Sequence, residues 1–289
     1  MNRPVVAGVD GSQQSMAAAR WAAGEAVRRG TTLRLLYAWP WVPHLFVGAP
    51  SADALQADSL DMLAETQCDL RVGNPGLVIE SELLSYSTID GLLAAGDDVE
   101  LMVLGSRGAG GFEDLLVGST SLAAAARANC PVVLVRAAES PEGAGPAHRT
   151  VVLGLDARHA DDTLIDFALS AAARREGSLR VVHTWSLPPL WSVNPFQLGR
   201  AEHDQMQEQE TRLLVEALHG WSEKYPGLDI RPEVRLGPAA KVLVEAGEHA
   251  ALLVVGRHTR RPALGLRLGP VAHAVIHHAA CPVAVVPHG

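Results

Sequence analysis

The chain repeats itself. Val5-Val6-Ala7-Gly8-Val9-Asp10 recurs as Val151-Val152-Leu153-Gly154-Leu155-Asp156, and Leu33 to Trp39 recurs as Leu179 to Trp185, both at one displacement (156 − 10 = 146; 185 − 39 = 146). Farther along, Gly105 matches Gly256, Gly118 matches Gly269 and Cys130-Pro131-Val132 matches Cys281-Pro282-Val283, at a second constant displacement (256 − 105 = 151; 281 − 130 = 151). Two collinear halves that differ by one insertion of five residues (151 − 146 = 5) form a tandem pair of like domains, so the fold has to be one that is built twice within 289 residues. That length suits two cores of ordinary domain size. The segment Ala137 to His148, with Pro141, Gly143, Gly145 and Pro146, reads as the linker. The expected domains are 1–138 and 149–289.

Within each half, short β-branched runs alternate with amphipathic stretches, the pattern of a parallel sheet covered by helices. In the first half the strands fall at 4–9, 32–39, 77–84, 100–104 and 131–136, and the helices at about 13–29, 52–71, 88–97 and 119–128. The first helix starts at Ser12 or a neighbour, where a side-chain oxygen caps free amides, and stops at Gly30. The second half follows the same plan, its second helix being unusually polar from Glu202 to Arg212. The pattern predicts an α/β protein with two parallel sheets covered by helices; the family resemblance given below implies that each is a Rossmann-like, doubly wound, five-stranded domain in the order 3-2-1-4-5.

Composition narrows the partners. A formal charge of −8 repels a polyanion, which argues against nucleic acid, while a small anion held locally by backbone amides is compatible with it. The apolar runs are broken well short of the roughly 18–20 residues of a membrane span, and no secretory leader is visible. Three cysteines, Cys68, Cys130 and Cys281, are too scattered for a disulfide framework or a zinc site, so a reducing cytoplasm is expected.

The chemistry concentrates where the fourth strand of the first half leaves the sheet. Gly105, Gly108, Gly118 and Ser119 punctuate a loop between the apolar run ending at Leu104 and the alanine-rich helix from Leu122 to Ala128. Glycine there lets backbone amides approach an anion, and the open amides and dipole of a helix start favour negative charge. Strand-to-helix turns also use glycine for geometry alone. In a sheet of order 3-2-1-4-5 the first and fourth strands flank the reversal, so Asp10 and the glycine loop face one crevice at the carboxyl ends. Polyphosphate would lie on the loop, with sugar and base running toward Asp10 and Ala38. GxxxxGK[ST] is absent, and Gly108-Ala109-Gly110-Gly111 fails GxGxxG because Glu113 stands at the third glycine.

Gly105-x2-Gly108-x9-Gly118-Ser119, together with Val9-Asp10-Gly11-Ser12 and Cys130-Pro131-Val132, resembles the ATP-binding type of universal stress protein in its tandem form, and the resemblance spans essentially the whole chain. It implies ATP, with a divalent ion such as Mg on the phosphates, and pairing of domains through their fifth strands. That gives a pseudo-dimer within one chain, and a homodimer remains open. It places Asp10, with Val9, Gly11 and Ser12, at the adenosine end, gives Ala38 backbone contacts to adenine, and puts Gly105, Gly108, Gly118 and Ser119 on the phosphates with Arg107, Thr120 and Ser121 as helpers. The function implied is a nucleotide-dependent sensor or regulator in the stress response, acting on a protein partner not named by the sequence. No catalytic constellation of nucleophile, base and orienting group stands out. The rivals are an ATP-hydrolysing or adenylyl-transferring enzyme, whose HxGH and SGGxDS marks are missing, and a ligand-free scaffold.

The second half departs from this pattern. Thr259 replaces Gly108, Pro270 replaces Ser119, and Ala157-Arg158 replace Gly11-Ser12 after Asp156. Proline offers neither amide nor hydroxyl, and threonine does not readily take a positive φ. The second site is expected to bind ATP weakly or not at all. Arg257, Arg260, Arg261 and Arg267 are read as a solvated basic loop, with a site for another anion as the alternative. His273 and His277 have the i, i+4 spacing of a two-ligand metal edge but no evident third ligand, so packed or surface histidines are expected and no metal site is assigned. Glu113 and Asp114 read as a solvent-facing loop edge, with help in holding a metal on the phosphates as the alternative, and Trp39 to Phe46 as an apolar loop beside the adenine end that packs on the second helix by default, with a lid or partner surface as the alternative.

Overall fold

A computed structural model describes residues 3–38, 52–84, 88–108, 116–137, 149–187, 200–259 and 268–289. The chain divides into two compact units, Met1–Pro141 and Glu142–Gly289. In the first, strands β1 (Val5–Gly8), β2 (Leu33–Ala38), β3 (Ile79–Leu84), β4 (Leu101–Gly105) and β5 (Val132–Val135) alternate with helices α1 (Gln13–Arg29), α2 (Ala52–Gly73), α3 (Thr88–Ala95) and α4 (Ser119–Arg127). The strands stand in the order β3-β2-β1-β4-β5. All four pairings are parallel, with Val5 opposite Leu33 on one side and Leu101 on the other. Because β1 is the middle strand and β4 its neighbour, both are apolar throughout and Val5, Val6, Ala7, Leu101, Met102 and Val103 are fully buried.

Local signals set the ends of α1. Ser12 is its N-cap and accepts from the Ser15 amide, Gly30 closes it in the left-handed conformation (φ 61°), and Arg28 and Arg29 lie in the last turn. Its inner face is a row of alanines, Ala18, Ala19, Ala22, Ala23 and Ala26, all without exposure, so the helix lies close against the sheet. Helix α3 ends two residues sooner than its apolar pattern suggests, because Gly96–Asp98 tighten into a 3₁₀ turn.

The second unit repeats the plan with β6 (Val151–Gly154), α5 (Asp162–Ala173), β7 (Ser178–Trp185), α6 (Arg200–Ala217), the single turn α7 (Trp221–Lys224), β8 (Asp229–Leu236), α8 (Ala239–Ala246), β9 (Leu252–His258), α9 (Pro270–His278) and β10 (Val283–His288). Its order, β8-β7-β6-β9-β10, is again 3-2-1-4-5 and parallel. β8 borders this sheet and carries Asp229, Arg231, Pro232, Glu233 and Arg235, a composition that discourages further strand pairing. No helix among the described residues is long and apolar enough to cross a membrane.

Candidate functional site

At the carboxyl end of β1 the chain turns through Gly11, whose φ of 78° no ordinary side chain tolerates well. Val9 is buried and its amide donates to Leu36 O at 2.8 Å, which leaves Asp10 exposed at the mouth beside β2 and its last residue, half-buried Ala38. Asp10 Oδ1 accepts from the Ser12 amide at 3.0 Å and from Ser12 Oγ at 2.6 Å, and Ser12 Oγ accepts from the Ser15 amide at 3.2 Å. The Asp10 amide in turn donates to Ser15 Oγ at 3.2 Å. One serine thus caps α1 and fixes the carboxylate that tops β1.

The loop after β4 comes to the same place. Ser106 N donates to Val135 O at 2.7 Å as the last rung toward β5, and Gly118 N donates to Ser106 O at 2.7 Å, closing the loop at its base. A Cβ on Gly105 would lie 2.8 Å from the Gln14 carbonyl carbon and 2.9 Å from Ser15 N, so the end of β4 is pressed onto the start of α1. A Cβ on Gly108 would lie 2.5 Å from Asp10 Oδ2, whereas one on Gly118 would meet only ordinary contacts at 3.6–3.8 Å with Arg107, Ser106 and Gly108. None of these three glycines is left-handed. Their use is space, not a special φ, so the conformational argument against Thr259 gives way to a steric one.

Helix α4 opens onto this space. Its N-cap, Gly118, is extended and supplies no side-chain cap, Ser119 is exposed, Thr120 is half-buried, and Arg107 is half-buried on the loop. Ser121 is committed elsewhere, being buried with its hydroxyl donated to Gly105 O at 2.7 Å, where it braces the loop from beneath. Asp10, Gly105, Gly108, Gly118 and the first turn of α4 therefore come together at the strand reversal. Residues 39–46, Glu113 and Asp114 lie outside the described residues.

At the end of β6 the second unit is built differently. Asp156 caps a 3₁₀ turn (Ala157–His159), accepting from Arg158 N at 3.1 Å and meeting His159 Nδ1 at 3.0 Å. Burial pushes its carboxyl up, but the His159 and Arg158 hydrogen bonds outweigh this and hold it below the usual range. Arg158 reaches Glu210 on α6, and the other oxygen of Glu210 lies 3.1 Å from His183 Nε2. His183 Nδ1 is 3.0 Å from Leu155 O. Glu210 and His183 are both buried, so α6 is tied by charge across the end of β6. Sequence reasoning missed this trio. The available signal was His183 directly after the apolar pair Val181-Val182 in its strand and Glu210 in a helix with few apolar residues.

The loop after the fourth strand differs too. β9 continues past Gly256 to His258 and β10 to His288, and Thr259, at the position of Gly108, donates both its amide (2.9 Å) and its hydroxyl (3.0 Å) to His288 O. Pro270 takes the first position of α9, where it is well tolerated but offers no amide. Arg257 is a buried β9 residue and not part of a solvated loop; Arg260, Arg261 and Arg267 lie outside the described residues. The ring centroids of His273 and His277 lie 4.5 Å apart with the planes tilted by 34°.

Fold and crevice together define a tandem, doubly wound α/β protein whose first unit carries a glycine loop at its switch point. The model of the universal stress protein family matches residues 1–136 and 147–287, and the chain belongs to that family. A universal stress protein of Mycobacterium tuberculosis is 31% identical over 97% of this chain and 96% of its own length. The crystal structure of a universal stress protein from Archaeoglobus fulgidus, 16% identical, superposes over 99% of this chain and 98% of that one with a TM-score of 0.69. A universal stress protein in complex with cAMP, 24% identical, matches 47% of this chain and 98% of its own with a TM-score of 0.38.

Proposed function

We propose that this protein is a nucleotide-dependent regulator that binds ATP in its amino-terminal domain (1–138), while the carboxy-terminal domain (149–289) binds it much more weakly or not at all. One observation carries the reading: Asp10, Gly108, Gly118 and the uncapped start of α4 come together in the first unit, whereas among the described residues of the second Arg158 turns to Glu210, Thr259 stands at the place of Gly108 and Pro270 at that of Ser119. The amides of the first α4 turn and the dipole behind them suit the phosphates, which explains how a chain of net charge −8 takes an anion. Asp10, already oriented by Ser12, suits the adenosine end, with Ala38 beside it at the end of β2. A divalent ion such as Mg would arrive on the phosphates; among the described residues no group of three or more His, Cys, Asp or Glu is set to hold one. The output of the bound state is a contact with a protein partner.

The test is calorimetric titration of the full chain with ATP and Mg. The expected result is one site per chain, lost in Gly118→Ala and kept in Pro270→Ala. No heat and no retention in equilibrium dialysis would overturn the proposal, as would binding that survives Gly118→Ala.

A further inference from the structure

Helix α2 packs on β2 and β3, and its Ser59, Leu63, Thr66 and Leu70 are buried. Its outward side holds a second apolar row. On a helix of about 3.6 residues per turn, Ala57, Leu60, Ala64, Cys68 and Val72 fall within about a third of the circumference. All of them are exposed, Leu60 by 49% and Val72 by 82%. Beside this row runs a row of exposed carboxylates, Asp58, Asp61, Glu65 and Asp69. Successive members stand three or four positions apart, a spacing at which like charges repel and weaken a helix. Among the described residues none of these carboxylates has an ion-pair partner, and the one basic residue of α2, Arg71, lies in its last turn. The repeat shows the ordinary alternative. On α6 the exposed Glu208, Arg212 and Glu216 alternate in sign at a spacing of four, and Val215 is the one exposed large apolar side chain described on that helix. Helix α2 thus presents apolar area and uncompensated negative charge side by side, and one kind of partner relieves both.

We propose that the outward face of α2 is the docking surface for a basic amphipathic helix of a partner protein. Large apolar side chains of that helix settle over Ala64 and Cys68, whose small size lets two helices approach closely, while Leu60 and Val72 flank them along the row. Its lysines or arginines lie along Asp61, Glu65 and Asp69, so the charge that weakens α2 alone holds the partner in register. A second copy of this chain suits the face less, because its own α2 brings the same carboxylates and only Arg71 to compensate them. The surface uses none of the residues assigned to the nucleotide site, so it does not depend on ATP binding.

Cys68 reports on this face, since it is exposed while Cys130 and Cys281 are buried. Its alkylation by iodoacetamide, an uncharged reagent, is followed by mass spectrometry on the full chain without nucleotide. The probe is an amidated peptide of about 18 residues whose leucines share one helical face and whose lysines flank it. Saturating peptide should slow the reaction of Cys68 about tenfold or more, and a scrambled peptide of the same composition should not. Leu60→Gln should weaken the protection. Asp61→Lys combined with Glu65→Lys, both exposed changes, should abolish it and transfer it to a peptide with glutamates in place of the lysines. An unchanged alkylation rate, equal protection by the scrambled peptide, or protection that survives the charge reversal overturns the proposal. So does a slow reaction without peptide, which assigns the face to a second copy if it slows further with protein concentration and to this chain's own residues if it does not.

Discussion

Gly108 lies against the carboxylate of Asp10, so closely that any side chain at position 108 would begin 2.5 Å from Asp10 Oδ2. The carboxylate cannot simply swing away, because Oδ1 is held by two hydrogen bonds from Ser12. Gly108→Ala therefore forces the loop off β1 or breaks the Ser12 bonds. Either way the crevice loses its shape while the sheet beneath keeps its core. The expected result is a drop in ATP affinity of about tenfold or more, roughly 1.4 kcal/mol, with thermal stability within about 0.5 kcal/mol of the parent. Calorimetry beside a thermal melt checks both halves.

Gly105→Ala and Gly118→Ala should separate the two uses of glycine in one loop. At 105 the new methyl meets the backbone of Gln14 and Ser15, which cannot give, so a destabilisation of about 1–3 kcal/mol is expected. At 118 nothing lies nearer than 3.6 Å and the φ of −74° suits any residue, so stability should hold. Lost nucleotide binding in Gly118→Ala with an unchanged urea midpoint would mark the position as kept for a ligand. An unchanged affinity would overturn the placement of the phosphates at the start of α4.

Most element bounds were legible because they rest on local signals, the Ser12 cap, left-handed Gly30 and the uninterrupted apolar runs of β1 and β4, whereas the strand order came with the family resemblance. The convergence of Asp10 with Gly108 followed from topology, since neighbouring strands at a reversal bring their loops together. What stayed hidden was how side chains spend their hydrogen bonds across the fold. Ser121 looks like a phosphate donor in sequence but braces Gly105 O, and Arg158 looks like a bare substitution for Ser12 until Glu210, 52 residues later, is found beneath it. The extension of β9 was equally invisible, because it depends on His288 lengthening the neighbouring strand.

Beneath the first sheet, buried Glu25 accepts from Arg29 Nε at 2.7 Å, and Arg29 Nη1 reaches Glu100 at 2.5 Å. Glu25→Ala removes one of the two buried members of this network, takes a partner from Arg28 as well, and leaves buried Arg29 to Glu100, which is partly exposed. Breaking a buried pair costs about 3–5 kcal/mol, and the surviving contact places the expected loss at the lower end of that range. Chemical denaturation of the full chain should show the first unit unfolding earlier. A loss below about 1 kcal/mol would mean the network is worth no more than a surface pair.

On the second unit, Tyr225 donates its hydroxyl to Asp166 Oδ1 at 2.6 Å, and Lys224 meets the same oxygen at 2.7 Å. Burial and the adjacent carboxylate push the Tyr225 hydroxyl up to about 12. For Asp166, burial acts upward, but the bonds from Lys224 and Tyr225 prevail and hold it below its ordinary 3.8. The two signs give two limits. A raised tyrosine contributes stability that is intact below about pH 10 and fades as the pH climbs toward 12; a lowered carboxylate contributes stability that is intact above about pH 4 and fades as the pH falls. Asp166→Ala should remove both effects. In an ultraviolet phenolate titration of the full chain, one of the three tyrosines should move from about 12 toward 10, and the acid limb of stability should flatten. A phenolate titration identical to that of the parent would show that the hydrogen bond does not hold the proton on Tyr225.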